Sequence, residues 1–204
     1  MNWQEQPADI QPSLIVDLLR SLSALDAVFL AAHTRKAPTV YLTPECREGI
    51  WTHLRSYRTE VGGLLVGRAY VAGAGLPDTW GPLVWIDRFV PSETFRSSSV
   101  SLAMGTDIWD RARSVTAHDD GMVVGWYHSH PNLGAFFSST DRATQRAFFN
   151  QPYSIGLVVD PIRSEEAWFI GADSAWLRGE SVLKTGLALP CGDPPQRSSE
   201  EGQE

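Results

Sequence analysis

Segments of continuous or alternating apolar residues run through most of the chain, and between them apolar residues recur every three or four positions. The first pattern is typical of strands and the second of helices. Predicted strands cover residues 40–42, 60–70, 83–90, 122–124, 153–160 and 167–170, and predicted helices begin near residues 14, 44, 106 and 141. Because strands and helices are interleaved, the sequence predicts a mixed α/β domain.

The apolar positions between residues 14 and 29 have helical spacing and predict one amphipathic helix. Asp17, Arg20 and Asp26 would be costly within a bilayer, which disfavours a membrane-spanning helix. Three uses of the apolar face stay open: packing on the chain's own domain, contact with a protein partner or a second copy, and binding at a membrane surface. Residues 31–37 are predicted to form a basic loop or linker.

The next helix has a clear predicted start. Thr43 is a good capping residue, and Pro44 suits the first helical position. Cys46 then falls on the apolar face of this helix. We therefore expect a buried thiol, and no cysteine-protease pair with the nearby His53.

Composition narrows the function further. At 204 residues the chain has the length of one decorated domain, and its formal charge of -7 argues against a nucleic-acid partner. Cys46 and Cys191 do not suggest a disulfide framework, and the first residues do not resemble a signal peptide, so we expect a cytoplasmic protein. The expected organisation is an N-terminal helix and linker over residues 1–37, a main domain over 38–189, and a mobile polar tail over 190–204.

The chemistry is concentrated between residues 125 and 141. His128 and His130 stand two apart at a predicted strand end, so both imidazoles point the same way and can reach one ion. Asp141 begins the next predicted helix and can approach from the other side. Three nitrogen and oxygen ligands that leave a position for water are typical of a catalytic zinc site. The alternative for Asp141 is a helix-capping box with Ser138.

The pattern His-x-His-Pro-x6-Ser-x-x-Asp, read from His128 to Asp141, resembles the signature of the JAMM, or MPN-plus, metallopeptidases. That family also has an upstream glutamate near a strand start, which Glu60 matches; alone, Glu60 could equally be a solvated residue at a strand edge. The resemblance covers about residues 40–171. It implies the MPN fold, which is cytidine-deaminase-like: a curved, mostly antiparallel sheet flanked by helices, here with an extra N-terminal helix.

The resemblance also implies a role for each matched residue. His128, His130 and Asp141 would hold one catalytic Zn²⁺ with a water, and Glu60 would act beside the metal as general acid and base. Ser138 would hydrogen-bond the developing oxyanion, with helix capping as the alternative. Ser129, between the histidines, is predicted to point away and to be structural. In the family, the region matching residues 91–104 forms an insertion that flanks the substrate channel; the alternative is an ordinary surface loop. We expect this segment to be the exposed edge that binds the extended tail of a modifier as an added strand.

The implied activity is that of an isopeptidase or peptidase that cleaves after the C-terminal glycine of a ubiquitin-like modifier. The chain resembles compact bacterial members of ubiquitin-like conjugation systems, some of which act against phage. Two alternatives stay open: a peptidase that processes a sulfur-carrier protein, and a non-catalytic MPN scaffold. Scaffold members typically lack one or more of the site residues, all five of which are present here.

Overall fold

The computed structural model of the chain describes residues 11–35, 37–73, 76, 80–92 and 107–184. Within these residues, nine strands and five α-helices are found. The strands are β1 Ser13–Leu14, β2 Thr39–Leu42, β3 Gly62–Val71, β4 Leu83–Pro91, β5 Met122–Ser129, β6 Ile155–Asp160, β7 Glu165–Ile170, β8 Ala175–Leu177 and β9 Val182–Leu183. The helices are α1 Ile15–Ser21, α2 Ala24–Thr34, α3 Pro44–Arg55, α4 Asp107–Thr116 and α5 Ser139–Phe148, with a short 3-10 helix at Gly179–Ser181.

All the strands form one mixed sheet in the order β8-β7-β6-β5-β3-β4-β2-β9, and β1 pairs with β3. The long central pairings of β3 with β4 and with β5 are antiparallel, as are β6–β7 and β7–β8. The pairings β5–β6, β2–β4, β2–β9 and β1–β3 are parallel. The predicted α/β class, with a sheet flanked by helices, is confirmed.

Adjacent residues of the central strands face opposite sides of the sheet, so each side has its own core. Leu65 and Tyr127 belong to the cluster beneath α3, whereas their neighbours Leu64 and Trp126 belong to the cluster beneath α4 and α5. A bulge in the β3–β5 pairing, between Leu65 and Val66, leaves one extra residue, Val124, in β5. Beyond this bulge, His128 and the following His130 lie on the same side of the sheet as Trp126 and face α5.

The start of α3 follows the sequence prediction. The Thr43 hydroxyl accepts a hydrogen bond from the backbone N–H of Cys46 at 3.3 Å, and Pro44 occupies the first turn. Cys46 is buried, and burial together with the charge of Asp87 raises the pKa of its thiol to about 12. His53 instead lies with its Nδ1 2.9 Å from the hydroxyl of Tyr127. The predicted absence of a cysteine-protease pair is consistent with this arrangement.

The prediction of one helix from residue 14 to residue 29 is wrong, because the segment forms two helices. Leu22 and Ser23 adopt extended backbone angles between α1 and α2, and the Ser23 hydroxyl caps α2 by accepting from the N–H of Asp26 at 3.2 Å. Helix α2 also continues to Thr34, into residues predicted to be a loop. Apolar spacing continues across the break, which is why periodicity alone concealed it.

The inner face of the helix pair packs on the domain's own sheet. Ile15, Leu18 and Leu30 form a buried cluster with Leu83 of β4, and β1 adds a short parallel pairing to β3. The outer face of α2 remains exposed, with relative accessibilities of 80% for Leu25, 68% for Val28 and 42% for Phe29. No helix in the described part is both long and apolar enough to cross a membrane.

Smaller differences concern element ends. The strand predicted to open at Glu60 begins at Gly62. Strands β8 and β9 are too short to give a sequence pattern. Most of the predicted edge over residues 91–104, and the predicted tail over 190–204, lie outside the described residues.

Candidate metal centre

Strand β5 brings the two histidines of the motif together. His128 is near the end of β5, and His130 follows it, with its backbone N–H donating to the carbonyl of Val159 at 2.9 Å. Their Nε2 atoms lie 3.1 Å apart, and both side chains are buried. Because β5 is flanked by β3 and β6, the backbone carrying the imidazoles is held on both sides.

Asp141 reaches the histidines from the first turn of α5. Its Oδ1 lies 3.3 Å from Nε2 of His128, and its Oδ2 lies 3.6 Å from Nε2 of His130. The same carboxylate closes a capping box: Oδ2 accepts from the N–H of Ser138 at 2.7 Å, and the Ser138 hydroxyl accepts from the N–H of Asp141 at 3.2 Å. Capping and convergence on the histidines, considered as alternatives from sequence, therefore occur in one residue.

The dimensions of this group fit a zinc ion. Tetrahedral zinc with nitrogen and oxygen ligands at about 2.0–2.2 Å requires ligand atoms about 3.3–3.5 Å apart. The 3.1 Å between the two Nε2 atoms and the 3.3 Å between His128 Nε2 and Asp141 Oδ1 are close to that spacing, and the other oxygen of Asp141 lies 3.6 Å from His130 Nε2. His128, His130 and Asp141 thus form a group that could hold a metal ion through one carboxylate and two imidazoles.

The electrostatic environment favours the metal-binding forms of Asp141 and His130. Burial favours the neutral acid, but the hydrogen bond and charge of His128, together with Ser138, lower the pKa of Asp141 well below its ordinary value. The pKa of His130 is also lowered, first by burial and then by His128, although Asp141 and Glu60 act in the opposite direction. Asp141 is therefore ionised and His130 neutral at neutral pH, as a zinc site requires.

A second group of side chains, which the sequence analysis did not identify, orients His128. The indole of Trp126 stacks on the His128 ring with centroids 4.6 Å apart and planes within 8°. Trp126 Nε1 donates to Gln145 Oε1 at 2.6 Å, and the two N–H groups of Gln145 Nε2 are shared among the carbonyls of Phe149, Ser154 and Gly171 at 3.1–3.3 Å. Nδ1 of His128 has no partner among the described protein groups. The stacked indole therefore restricts the orientation of the His128 ring.

Sequence signals for this group exist, but they are weak. Trp126 stands two residues before His128, and Gln145 stands four after Asp141, so strand and helix periodicity put each beside a site residue. Neither spacing indicates that the two would bond to each other.

Asp160, at the end of β6, anchors the loop that follows His130. Its buried carboxylate accepts hydrogen bonds from the backbone N–H groups of Asn132 at 3.0 Å, Gly134 at 2.8 Å, Ile162 at 2.9 Å and Arg163 at 3.1 Å. Asn132 and Gly134 have φ angles of 63° and 92°, in the left-handed region. Burial acts to raise the pKa of Asp160, but these four donors lower it to about 2. A fixed negative charge thus holds the chain beside the metal group.

The two remaining predicted residues lie at the rim of this group. Oε1 of Glu60 is 4.0 Å from Nε2 of His130, and the Glu60 side chain is 43% exposed. Ser138 occupies the N-cap position of α5, where its hydroxyl oxygen serves as an acceptor. A hydroxyl has one proton to donate as well as lone pairs, so capping leaves that proton available for another acceptor.

Three comparisons place the chain among known proteins. The family model described as "Prokaryotic homologs of the JAB domain" matches residues 44–171, more than half of the chain. A segment covering 41% of the chain is 36% identical over 84 residues to the Saccharomyces cerevisiae protein named "Ubiquitin carboxyl-terminal hydrolase RPN11", of which it covers 26%. Over 82 residues, 40% of the chain, identity to the Schizosaccharomyces pombe "26S proteasome regulatory subunit rpn11" is 54%, covering 25% of that relative.

The match thus spans about a quarter of the length of these curated relatives. Among solved structures, a protein of Desulfitobacterium hafniense aligns with a TM-score of 0.55 and 23% identity, covering 74% of this chain and 96% of that one; this similarity supports the fold alone. The family match includes the histidines, Asp141 and Glu60 in one continuous region. The chain therefore belongs to the JAB domain family, also called JAMM or MPN, as its His-x-His-Pro motif predicted.

Proposed function

We propose that this chain is a zinc-dependent isopeptidase that cleaves after the C-terminal glycine of a ubiquitin-like modifier within a bacterial conjugation system. The observation that carries the proposal is the convergence of His128, His130 and Asp141 at zinc-like spacing, with Glu60 close by but outside the group. The S. cerevisiae relative is named a ubiquitin carboxyl-terminal hydrolase, which supports the substrate class.

His128, His130 and Asp141 would hold the ion in the proposed reaction. Bound zinc would supply Lewis-acid chemistry, lowering the pKa of a water molecule and polarising the scissile carbonyl. Glu60 would accept a proton from the attacking water and deliver it to the departing lysine amine. Its exposed position suits this role, since a carboxylate bound to the metal would lose its affinity for the proton.

Ser138 would donate its hydroxyl proton to the carbonyl oxygen as negative charge develops there. The hydroxyl of Ser138 also lowers the pKa of Asp141, so that carboxylate is the competing acceptor for the proton. Burial of the histidines and Asp141 excludes bulk water from one side of the group, while the Glu60 side leaves access for a substrate.

The test compares the wild type with Glu60→Gln, both loaded with zinc and assayed on ubiquitin and on Gly-Gly peptides carrying a fluorogenic C-terminal amide. The amide of Gln keeps shape but cannot shuttle a proton, so hydrolysis should fall by about 10²–10⁴-fold with zinc content unchanged. Near-normal turnover in Glu60→Gln would show that Glu60 is not the general acid and base. A zinc-loaded wild type that cleaves none of the substrates would contradict the peptidase assignment.

A further inference from the structure

We propose that Ser129 is a positioning residue for Glu60, acting from the face of the sheet opposite the metal group. The inference rests on the proposed function, because it assigns how the general base is held in place. Ser129 and Val61 are 0% and 1% exposed, so their contacts lie within the protein interior. Glu60 precedes Val61 directly, and its position follows from that of its neighbour.

The pairing of β3 with β5 ends at Gly62 opposite His128, one residue short of Val61. Beyond this end, Ser129 joins β5 to the residue that precedes β3 through three hydrogen bonds. Its backbone N–H donates to the carbonyl of Val61 at 2.8 Å, its hydroxyl oxygen accepts from the Val61 N–H at 3.1 Å, and its hydroxyl lies 3.3 Å from the same carbonyl as a donor. The Ser129 hydroxyl is thus the acceptor for the Val61 N–H, and the Val61 carbonyl accepts mainly from the Ser129 N–H.

The side chains on either side of this contact point in opposite directions. Val61 packs into the core beneath α3, whereas the Glu60 carboxylate approaches His130 on the α5 side. The Glu60 side chain forms no hydrogen bond with any described residue. Its Oε1 lies 4.0 Å from Nε2 of His130, which is too far for a hydrogen bond. Its placement therefore depends on the backbone at Val61 more than on contacts of its own.

This geometry also explains why the residue between the histidines carries a hydroxyl. Successive side chains of a strand alternate, so Ser129 cannot face the ion together with His128 and His130. It lies fully buried against Val61. An alanine would keep the strand, but it would leave the Val61 N–H without that acceptor in a buried position.

The test uses Ser129→Ala and Ser129→Cys, with Ser129→Thr as the conservative variant that keeps the hydroxyl. A misplacement of about 1 Å can cost on the order of 100-fold in rate, so we expect kcat to fall by about 10–100-fold in the Ala and Cys variants. KM and zinc content should stay close to wild type, but the melting temperature of the Ala and Cys variants should fall by several degrees, because the buried Val61 N–H loses its acceptor. Ser129→Thr should recover most of kcat and of the melting temperature.

A double-mutant cycle separates positioning from general damage. If Ser129 acts through Glu60, adding Ser129→Ala to Glu60→Gln should lower the residual rate by less than about twofold, because the two changes remove one function. A second loss of about 10-fold or more in that background, loss of zinc, or an unchanged kcat in Ser129→Ala and Ser129→Cys would overturn the proposal.

Hydrogen exchange provides a readout that does not depend on turnover. The Val61 amide should exchange at least about 10-fold faster in Ser129→Ala than in wild type or Ser129→Thr, with or without zinc, since its acceptor is removed. An inactive wild type that shows this difference would contradict the proposed function while supporting the contact. Unchanged Val61 exchange would overturn the positioning role even in an active enzyme.

Discussion

The carboxylate of Asp141 accepts the backbone N–H of Ser138 at 2.7 Å while its other oxygen faces Nε2 of His128 at 3.3 Å. One side chain therefore fixes the start of α5 and presents a ligand atom to the histidines. Since the reciprocal bond from the Asp141 N–H to the Ser138 hydroxyl pins the same turn, the carboxylate has little freedom to rotate away. The helix cap preorganises the metal group.

Replacing each partner of the cap should separate its two tasks. Asp141→Asn keeps an oxygen for the Ser138 N–H but loses the negative charge. Loss of a residue that only supports a metal ligand typically lowers metal affinity by about 10–100-fold. The loss of zinc affinity in Asp141→Asn should be larger than this. Ser138→Ala removes the cap, which should lower the free energy of unfolding by about 1 kcal/mol and leave zinc bound. Zinc titration and urea unfolding of the metal-free proteins measure the two effects. Full zinc binding by Asp141→Asn would exclude that residue as a ligand.

The bond between Trp126 and Gln145 should matter to both stability and zinc affinity. Gln145→Met leaves the buried Trp126 N–H unpaired, a loss of about 1–3 kcal/mol for such a group. It also frees the indole stacked on His128, so zinc affinity should fall by about 10–100-fold. Trp126→Phe removes the donor itself. The double variant Trp126→Phe/Gln145→Met should therefore lose less stability than the two single variants lose when their effects are added.

Tyr127→Phe is the matched control for this pair. Tyr127 lies in the same strand but faces α3, where its hydroxyl contacts His53 at 2.9 Å. Its loss should affect stability without changing zinc affinity. Equal effects of Tyr127→Phe and Gln145→Met on zinc binding would show that the indole has no special influence on His128.

How far the sequence predicts the site follows from the distance over which each contact acts. The grouping of His128 with His130 was predictable because the His-x-His spacing and strand periodicity fix their relation locally. The Trp126–Gln145 bond was not, since it joins β5 to α5 across 19 positions and forms only when the helix docks. The four donors of Asp160 come from two loops that meet only after β5 and β6 pair in parallel.

The fold shows the same division. The start of α3 was predicted from Thr43 and Pro44, whose effect on the backbone is local. The break between α1 and α2 was missed because apolar spacing persists through Leu22 while the backbone turns at Ser23. Patterns of polarity report which face is buried, and they carry little information on whether the helix is continuous.

Asp160 gives a testable dependence of stability on pH. Its pKa is about 2 in the folded chain against an ordinary value of 3.8, so its contribution is complete above about pH 4 and lost as the pH falls towards 2. This shift corresponds to about 2 kcal/mol. Asp160→Asn does not titrate, so the stability difference between wild type and variant should shrink by about that amount between pH 7 and pH 2.

Metal-free protein should be used for this measurement, because loss of zinc at low pH would otherwise contribute. Chemical unfolding at several pH values gives the difference directly, and Asp110→Asn serves as the control for changing a carboxylate on an exposed helix surface. A difference between wild type and Asp160→Asn that stays constant from neutral to acidic pH would show that the four backbone donors do not stabilise the ionised form.

The two faces of the N-terminal helix pair should respond differently to truncation. Ile15 is fully buried against the sheet, so Ile15→Ala should cost about 2–5 kcal/mol, the usual range for a large-to-small change in a core. Leu25 is 80% exposed, and Leu25→Ala should change stability by no more than about 0.5 kcal/mol.

Urea unfolding at two protein concentrations distinguishes packing within one chain from packing between copies. If Leu25→Ala destabilised the protein, and more so at high concentration, the outer face of α2 would be covered by a second copy. A small effect of Ile15→Ala on the free energy of unfolding would instead show that burial of this side chain adds little stability. The helix pair would then contribute little to the stability of the domain.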